Sequence, residues 1–219
     1  MANRNIIPDT PSTESYVNEA ARGGIPDIDE PFGLLKDWLA EARQSEINDS
    51  NAMALATVDE TGLPDVRMVL LKDLSPDGLT FYTHETSAKG QQLKHQPKAA
   101  LLFHWKSLRR QIRIRGQVIQ VPDSDADAYF ASRARQSRLG AWASDQSQPL
   151  PNRTELKRKL EDAEEKFGPD GDIPRPKAWR GFKCVPQQIE FWQDQPFRLH
   201  DRLVLTRDGS SWSQTRLYP

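Results

Sequence analysis

The sequence has few of the residues that cross-link a chain or anchor it in a membrane. Cys184 is the only cysteine among 219 residues, which excludes an internal disulfide and a cysteine-rich metal site. The four histidines are scattered without metal-ligand spacing, so we expect no metal. No apolar run approaches the roughly 18 residues of a membrane span, and the first 24 residues lack the hydrophobic core of a secretory signal. These absences predict a cytoplasmic protein.

Several common catalytic and binding signatures are also missing. The sequence contains no G-x-G-x-x-G after a strand, no P-loop, no H-E-x-x-H and no G-x-S-x-G. A net charge of −1 argues against a general nucleic-acid or membrane-surface binder. Residues 1–28 are polar and aperiodic, which predicts a mobile N-terminal arm, and residues 29–219 suffice for a single domain.

The stretch from Met53 to Leu93 organises the rest of the chain. Its three apolar runs, MALATV, VRMVLL and LTFYT, are separated by turn signals at 60–62 and 75–78. Runs of β-branched and aromatic residues bounded by Gly, Pro and Asp predict successive strands of an antiparallel meander.

Positive charges fall at the ends of these predicted strands. Arg67 and Lys72 bracket the middle strand, and Ser87 can cap a short helix that carries Lys89 in its first turn. A helix N-terminus beside fixed cations is typical of an anion site, so we expect a phosphate-bearing ligand here. Ordinary solvated strand ends are the alternative.

Other elements follow from hydrophobic periodicity and capping signals. Helices are predicted from about Pro31, after Asp123 or Ser124, and over 154–167; strands are predicted over 99–105, 108–121, 181–193, 197–206 and 212–217.

Two of these elements carry clusters that could bind a ligand. Tyr129, Arg133 and Ser137 are spaced four apart and would form a phosphate cradle on one face of a continuous helix, or else a solvent-facing stripe. Arg198 and His200 alternate with Arg202 on the predicted strand 197–206, which indicates an anionic or polar ligand opposite, or an exposed edge strand.

The basic strand 108–121 could instead track a nucleic-acid backbone, although a solvated basic face is the simpler interpretation. Gln111 is its neutral member, and its amide can recognise the edge of a heterocycle.

Together these stretches resemble the pyridoxamine 5′-phosphate oxidase family from about Pro31 to Pro219. The matching segments are ATVDETGLPDVRMVLLK, FYT, SAKG, the Arg110-Gln111 pair, YFASRARQSRLGAWAS, QS, IEFWQ, RLHDR and RLYP. The pattern R-x-x-x-S-x-x-G-A-W followed by E-F-W and R-L-H-D-R is more specific than any single glycine motif.

The resemblance implies a mainly β fold with flanking helices, an antiparallel Greek-key split β-barrel that forms a homodimer with FMN at the subunit interface. It implies FMN contacts from Arg67, Met68, Val69, Leu70, Leu71, Lys72, Tyr82, Thr83, Lys89, Gln111, Gln146, Ser147, Trp192 and Arg202. It also implies that Lys72, Tyr129, Arg133 and Ser137 bind the substrate phosphate, and that Arg198, Leu199 and His200 face the pyridine ring, with Arg198 and His200 as the catalytic pair.

The implied activity is FMN-dependent oxidation of pyridoxamine and pyridoxine 5′-phosphates by O2, giving pyridoxal 5′-phosphate and H2O2. A split-barrel reductase with another substrate and a non-catalytic FMN or pyridoxal phosphate carrier remain alternatives. The chain departs from the family pattern at Ala88, where a second cation is usual, and in the arm, which lacks the Arg-x-x-Tyr lid pattern.

Overall fold

The computed structural model describes residues 12–13 and 23–219. Within them the chain is mainly β with flanking helices, as predicted. The strands are β1 (Ala52–Val58), β2 (Pro64–Leu70), β3 (Asp73–Ser75), β4 (Gly78–His84), β5 (Lys98–Trp105), β6 (Arg110–Gln120), β7 (Trp179–Gln193), β8 (Asp201–Asp208) and β9 (Ser211–Arg216). The helices are α1 (Pro31–Ser45), α2 (Ala88–His95), α3 (Asp123–Ser132), α4 (Arg135–Ala143) and α5 (Arg153–Phe167).

The strands form one antiparallel sheet in the order β2-β1-β5-β6-β7-β4-β3, from which β8 branches off β7 and pairs with β9. The predicted hairpin of β1 and β2 is confirmed. The predicted meander is wrong at its third strand, because β4 pairs with β7 and with the short β3. An apolar strand suits any partner that offers an apolar face, so the local pattern could not identify a partner about a hundred residues away.

The two ends of this sheet approach each other and give a split barrel. The amide of Lys72, just after β2, donates to the carbonyl of Thr80 in β4 over 2.8 Å. The register of β6 against β7 shifts between Arg115 and Gly116, and glycine is needed there because a Cβ would lie 2.1 Å from the carbonyl oxygen of Val185. The long β7 pairs with β4 through its first half and with β8 through its second.

Helix α1 covers one side of the barrel core. It begins after Glu30, whose carboxylate accepts the backbone N–H groups of Phe32 and Gly33, and its first residue is a proline, as predicted. Trp38 projects from α1 and meets the ring of Phe191 edge-on at 5.3 Å. The apolar stripe of this helix therefore closes the core.

Helices α3, α4 and α5 form a second cluster beside the barrel. Phe130 and Leu139 are buried there against Trp179, the first residue of β7. Of the two caps that the sequence offers for α5, Asn152 and Thr154, Asn152 is the one used, and Gly168 ends the helix, as its position after Phe167 predicts. Helix α3 begins at Asp123 without a side-chain cap, so the predicted capping by Asp123 or Ser124 is wrong.

Most of the predicted N-terminal arm lies outside the described residues. Its described end packs on the barrel: Ile25 is 3% exposed and its amide donates to Asp201 Oδ2 over 2.6 Å. The carbonyl of Ile25 accepts from Arg216. In the described part of the chain, no helix is both long and apolar enough to cross a membrane.

Candidate active site

A cleft of about 790 Å³ opens between the barrel and the helices α3 and α4. Strands β2 and β4 supply one wall, and the turn between the two helices supplies the other. The predicted site residues that line it are Arg67, Met68, Val69, Leu70, Lys72, Tyr82, Thr83, Lys89, Tyr129, Arg133, Ser137 and Gln146. Residues nearly eighty positions apart in the chain are therefore brought to one cavity.

Lys89 is a buried cation with neutral partners. Its side chain is 8% exposed, and Nζ donates to Thr83 Oγ1 at 3.3 Å and to Gln146 Oε1 at 3.2 Å. Burial lowers the pKa of the Lys89 ammonium, and the positive charge of Arg67 lowers it further, while Asp65 opposes both. An ammonium in this position needs an anion, and among the described residues no carboxylate forms an ion pair with it.

Ser87 fixes the start of the helix that carries Lys89. Its hydroxyl donates to the carbonyl of His84 over 2.7 Å and accepts the amide of Gly90 over 3.3 Å, so the predicted N-cap is confirmed. The cap orients the first turn of α2, and with it Lys89, towards the cleft.

Arg67 lies in β2 beside this helix. Its Nη1 donates to Thr57 Oγ1 at 2.6 Å and to the carbonyl of Leu55 at 3.1 Å, and Nη2 contacts Gln92 and forms an ion pair with Asp65. The guanidinium is therefore held in place by several partners. Asp65 is about half exposed, so its negative charge is partly screened by solvent.

The cationic group around Arg133 differs in its backbone from the prediction. A continuous helix was expected to align Tyr129, Arg133 and Ser137, but α3 ends at Ser132 and Arg133 has extended backbone angles, φ −74° and ψ 150°. Ala134 is also extended before α4 begins. All three side chains still line the cleft, because residues on both sides of the break, in α3 and in α4, contribute to its lining. No Gly or Pro marks this break in the sequence.

Arg133 is surrounded by rings rather than by acids. Its Cζ lies 5.1 Å from the ring centroid of Trp179 and 5.4 Å from that of Phe130. Nη1 is buried and has no hydrogen-bond partner among the described residues. Burial lowers the pKa of this guanidinium, an effect that Tyr129 opposes. Donor hydrogens on a buried guanidinium without a partner fit an anionic ligand.

Three nearly parallel aromatic rings line the cleft. Tyr82 stacks on Tyr129 at 4.2 Å and on Trp179 at 4.9 Å, with interplanar angles of 16° and 7°. Trp179 also lines the cleft, although the sequence reasoning did not select it as a site residue. Its signal was weak, because a tryptophan at a strand start usually belongs to the core.

His84 is another cleft residue that the sequence analysis did not select. It is 8% exposed, and burial lowers the pKa of its imidazole, as do the nearby charges of Lys89 and then Arg133, against Asp145. These effects favour the neutral form of the ring. The remaining unpredicted lining residues are Ala134, Gly140, Ala141 and Ser144.

A second set of predicted site residues lies away from this cleft in the same chain. Trp192 is the register partner of both Gln111 and Arg202, and its ring lies 4.6 Å from that of His200. Arg202 donates through Nε at 2.8 Å and Nη2 at 2.7 Å to the buried carboxylate of Glu190. We refer to Gln111, Trp192, Arg198, Leu199, His200 and Arg202 as the β7–β8 group.

The predicted strand over 197–206 is wrong at its start. Residues 196–198 form a 3₁₀ turn in which Phe197 and Arg198 have positive φ values of 57° and 60°, and β8 begins only at Asp201. Arg198 and His200 therefore do not alternate along a strand with Arg202. His200 Nδ1 lies 3.2 Å from Asp194 Oδ1, so an acid within the chain faces this histidine.

Two other predicted residues lie outside the cleft. Leu71 is 5% exposed and belongs to the barrel core, whereas Ser147 is exposed with a φ of 71°. The backbone of Leu71 is fixed by hydrogen bonds to Asn51.

Two family models match most of the chain. Residues 39–167 match the model described as pyridoxamine 5′-phosphate oxidase, and residues 179–219 match the pyridoxine 5′-phosphate oxidase C-terminal dimerisation region. Both matched ranges contain predicted site residues.

Curated relatives align along nearly the whole length. Pyridoxine/pyridoxamine 5′-phosphate oxidase of Maricaulis maris is 55% identical over 223 residues, covering 100% of both chains. That of Caulobacter vibrioides is 53% identical, covering 100% of this chain and 99% of the relative, and that of Gluconobacter oxydans is 57% identical, covering 89% and 98%.

Solved structures share the architecture. PhzG from Burkholderia lata, crystallised with tetrahydrophenazine-1-carboxylic acid, superposes with a TM-score of 0.81 at 31% identity, covering 96% of this chain and 98% of PhzG. An FMN-binding protein from Nostoc punctiforme, related to pyridoxamine 5′-phosphate oxidase, gives a TM-score of 0.69 at 20% identity, covering 87% and 98%. The second similarity shows the fold alone.

Proposed function

The chain belongs to the pyridoxamine 5′-phosphate oxidase family of oxidoreductases, and we propose from this premise that it oxidises pyridoxamine and pyridoxine 5′-phosphates to pyridoxal 5′-phosphate. In this proposal FMN is the cofactor, and dioxygen accepts the electrons and leaves as hydrogen peroxide. The names of the relatives at 53–57% identity support the substrate class. The expectation of a cytoplasmic protein stays a prediction.

The observation that carries this proposal is the pair of cationic groups in one cleft. Lys89 is buried among neutral partners, and Arg133 has a buried nitrogen without a partner in the described residues. Burying a cation without a counter-charge is costly, so each group fits an anionic ligand. A phosphorylated cofactor and a phosphorylated substrate would provide one phosphate each.

The residues around Lys89 fit the phosphate end of FMN. In our proposal Lys89 and Arg67 neutralise that phosphate, while Thr83 and Gln146 add polar contacts from the same cleft wall. With Ala88 in the place of a second cation, Lys89 and Arg67 are the two cations that this proposal assigns to the cofactor phosphate, and Arg67 is held in place by Thr57 and Gln92. FMN, when bound, supplies the two-electron acceptor for the reaction.

Arg133, Tyr129, Ser137 and Lys72 fit the phosphate of the substrate. They offer a guanidinium, two hydroxyls and an ammonium, and all four side chains line the same cleft as Lys89. A clamped phosphate would fix the substrate ring in one orientation against the cofactor, which accelerates a reaction by restricting the geometry.

The β7–β8 group fits a site completed by a second copy of the chain. Trp192, the segment 198–200 and Arg202 all fall within 179–219, the part matched by the dimerisation region. The edge strand β2 also exposes apolar side chains, with Val66 and Met68 each 63% exposed. We therefore propose a homodimer in which each cleft receives the β7–β8 group of the other protomer.

His200 is suited to hold a proton near the substrate ring. Its Nδ1 lies 3.2 Å from the amide nitrogen of Gln195 and 3.2 Å from Asp194 Oδ1. The neutral ring can accept from the amide, and the protonated ring can donate to the carboxylate. A His200→Asn variant should retain FMN but lose turnover by about a hundredfold, the lower range for acid–base catalysis. Unchanged turnover across pH would exclude the proton role.

One experiment tests the proposed reaction. The purified protein should show a flavin absorption spectrum that bleaches when pyridoxine 5′-phosphate is added without air, and admission of oxygen should restore it with release of hydrogen peroxide. A coloured protein that does not bleach would indicate a carrier or a reductase for another substrate. A colourless protein that cannot be reconstituted with FMN would refute the cofactor, and a monomer that retains FMN would refute the shared site.

A further inference from the structure

Arg133 needs support that leaves its nitrogen donors free. A guanidinium presents five N–H groups, and a carboxylate partner would occupy some of them and repel an incoming phosphate. In the described residues Arg133 forms no ion pair, and its close neighbours are the faces of two aromatic rings. A ring attracts a cation through its π electrons without accepting a conventional hydrogen bond.

Of those two rings, Trp179 is the one that also lines the cleft. It is 5% exposed, and its amide donates to the carbonyl of Pro176 over 2.9 Å. Its own carbonyl accepts from Arg175 over 2.6 Å, and Arg175 pairs with Asp127 on α3 at 2.6 Å. The start of β7 is thus tied to the helix that precedes Arg133.

The indole of Trp179 also connects the barrel side of the cleft with the side formed by α3. Its ring stacks at 4.9 Å on Tyr82 of the barrel and at 6.0 Å on Tyr129 of α3, with Phe130 edge-on at 5.1 Å. A rigid ring in this stack gives Arg133, which follows the end of α3, a fixed surface to lie on. The backbone of Arg133 is extended, and its N–H donates to the carbonyl of Phe130 over 3.2 Å, so the chain is held at the end of α3 while the guanidinium lies over the rings.

We propose that Trp179 is a positioning residue for substrate: it holds the guanidinium of Arg133 against its ring so that the donors of Arg133 point to a phosphorylated ligand. This inference rests on the proposed function for the identity of the ligand. It adds to the site a residue that acts through Arg133 and that belongs to the stack of aromatic rings lining the cleft.

The test compares variants of the FMN-loaded protein for equilibrium binding of pyridoxal 5′-phosphate, a measurement that needs no turnover. Trp179→Leu removes the ring, Trp179→Phe keeps a smaller one, and Trp142→Leu is the matched control. Trp142 also has a cation over its ring, Lys166 at 4.2 Å, but does not line the cleft.

We expect Trp179→Leu to weaken binding about tenfold, within the range of a desolvated cation–π contact, and Trp179→Phe to weaken it by about threefold or less. Trp142→Leu should bind as the parent does. In turnover assays the loss should appear in KM rather than in kcat. Retention of FMN by Trp179→Leu separates a positioning role from general damage.

A double-variant cycle decides whether Trp179 acts through Arg133. In an Arg133→Ala background, Trp179→Leu should have no further effect on binding. Additive losses in the cycle, parent-like binding by Trp179→Leu, or an equal loss in Trp142→Leu would each overturn the inference. If Trp179→Leu does not fold, the same cycle with Trp179→Phe gives the answer.

The outcomes also separate this inference from the proposed function. Weakened binding by Trp179→Leu in a protein that does not oxidise pyridoxine 5′-phosphate would support the positioning role and refute the reaction. Normal oxidation by the parent, with a KM that Trp179→Leu leaves unchanged, would support the proposed reaction and refute the positioning role. A parent protein that neither binds pyridoxal 5′-phosphate nor turns over would overturn both.

Discussion

The cleft and the face of strands β6 to β8 around Glu190 both carry cationic side chains, but the partners of those side chains differ. On the strand face, Arg113 and Arg202 share the carboxylate of Glu190, which is 5% exposed. In the cleft, Lys89 and Arg133 have hydroxyl, amide or ring neighbours, and in the described residues no carboxylate pairs with either.

The difference separates two uses of buried charge. A paired cation is satisfied within the fold, and removing its partner leaves an uncompensated charge. An unpaired cation is a cost to the ligand-free fold that a bound anion offsets. The cleft is therefore the part of the molecule where ligand binding and stability should trade against each other, whereas loss of the Glu190 carboxylate on the strand face should lower the stability of the fold.

The largest expected effect is on the strand face. Glu190→Gln leaves two arginines without their acid and should lower the free energy of unfolding by about 3 kcal/mol, the usual cost of breaking a buried pair. Urea unfolding of the FMN-free protein measures this. The control is Glu41→Gln, which removes a pair with Arg110 whose acid is about half exposed and should cost about 1 kcal/mol or less. Equal losses of unfolding free energy in the two variants would show that the Glu190 pairs contribute no more than an exposed ion pair.

Arg133→Ala should behave in the opposite way. Binding of pyridoxine 5′-phosphate should weaken about a hundredfold, because charge-assisted hydrogen bonds are lost, while FMN is retained. The ligand-free protein should lose less than about 1 kcal/mol, the scale of the ring contacts alone. Substrate titration and urea unfolding measure the two quantities. Arg158→Ala, on the solvated face of α5, is the matched control, and unchanged substrate affinity in Arg133→Ala would contradict the assignment.

The smallest effect concerns Lys89 and depends on pH. Because burial lowers the pKa of Lys89 in the folded state, the unfolded chain binds more protons between the folded and the unfolded pKa, and stability rises with pH across that window. FMN-free Lys89→Met should therefore be more stable than the parent at pH 7, with a difference that shrinks as pH approaches 10. With FMN bound the order should reverse.

Urea unfolding at several pH values, with and without FMN, tests this prediction. The other titrating groups are common to both proteins and cancel in the difference. A parent protein that is more stable than Lys89→Met at pH 7 without FMN would show that Lys89 has a counter-charge in the fold.

Local signals predicted the secondary structure well where caps and periodicity agree. Glu30 and Pro31 mark the start of α1, Ser87 caps α2, and Asn152 and Gly168 bound α5, because each signal acts within one turn of the residue that carries it. Long-range pairing was not predicted correctly: β4 lies beside β7, and its apolar run gave no information on its partner.

Most residues of the site were predicted from the family resemblance. The geometry that brings these residues together was not predicted. The spacing of Tyr129, Arg133 and Ser137 indicated one helix face, whereas a break at Arg133 brings them to the cleft. The apparent alternation at Arg198 and His200 ends in a 3₁₀ turn. Trp179 was not selected, because its role depends on contacts with residues fifty and almost a hundred positions earlier.

The sequence by itself determined the class of fold, the starts of helices α1, α2 and α5, and the identity of most cationic residues, because capping, alternation and motif residues are local properties of the chain. The tertiary structure decided which of those cations are paired. Pairing depends on distances between elements such as β7 with β8, or β7 with α3, and those distances arise only when the sheet curves and the helices pack on it. It is that pairing which separates a charge that supports the fold from one that is available to a ligand.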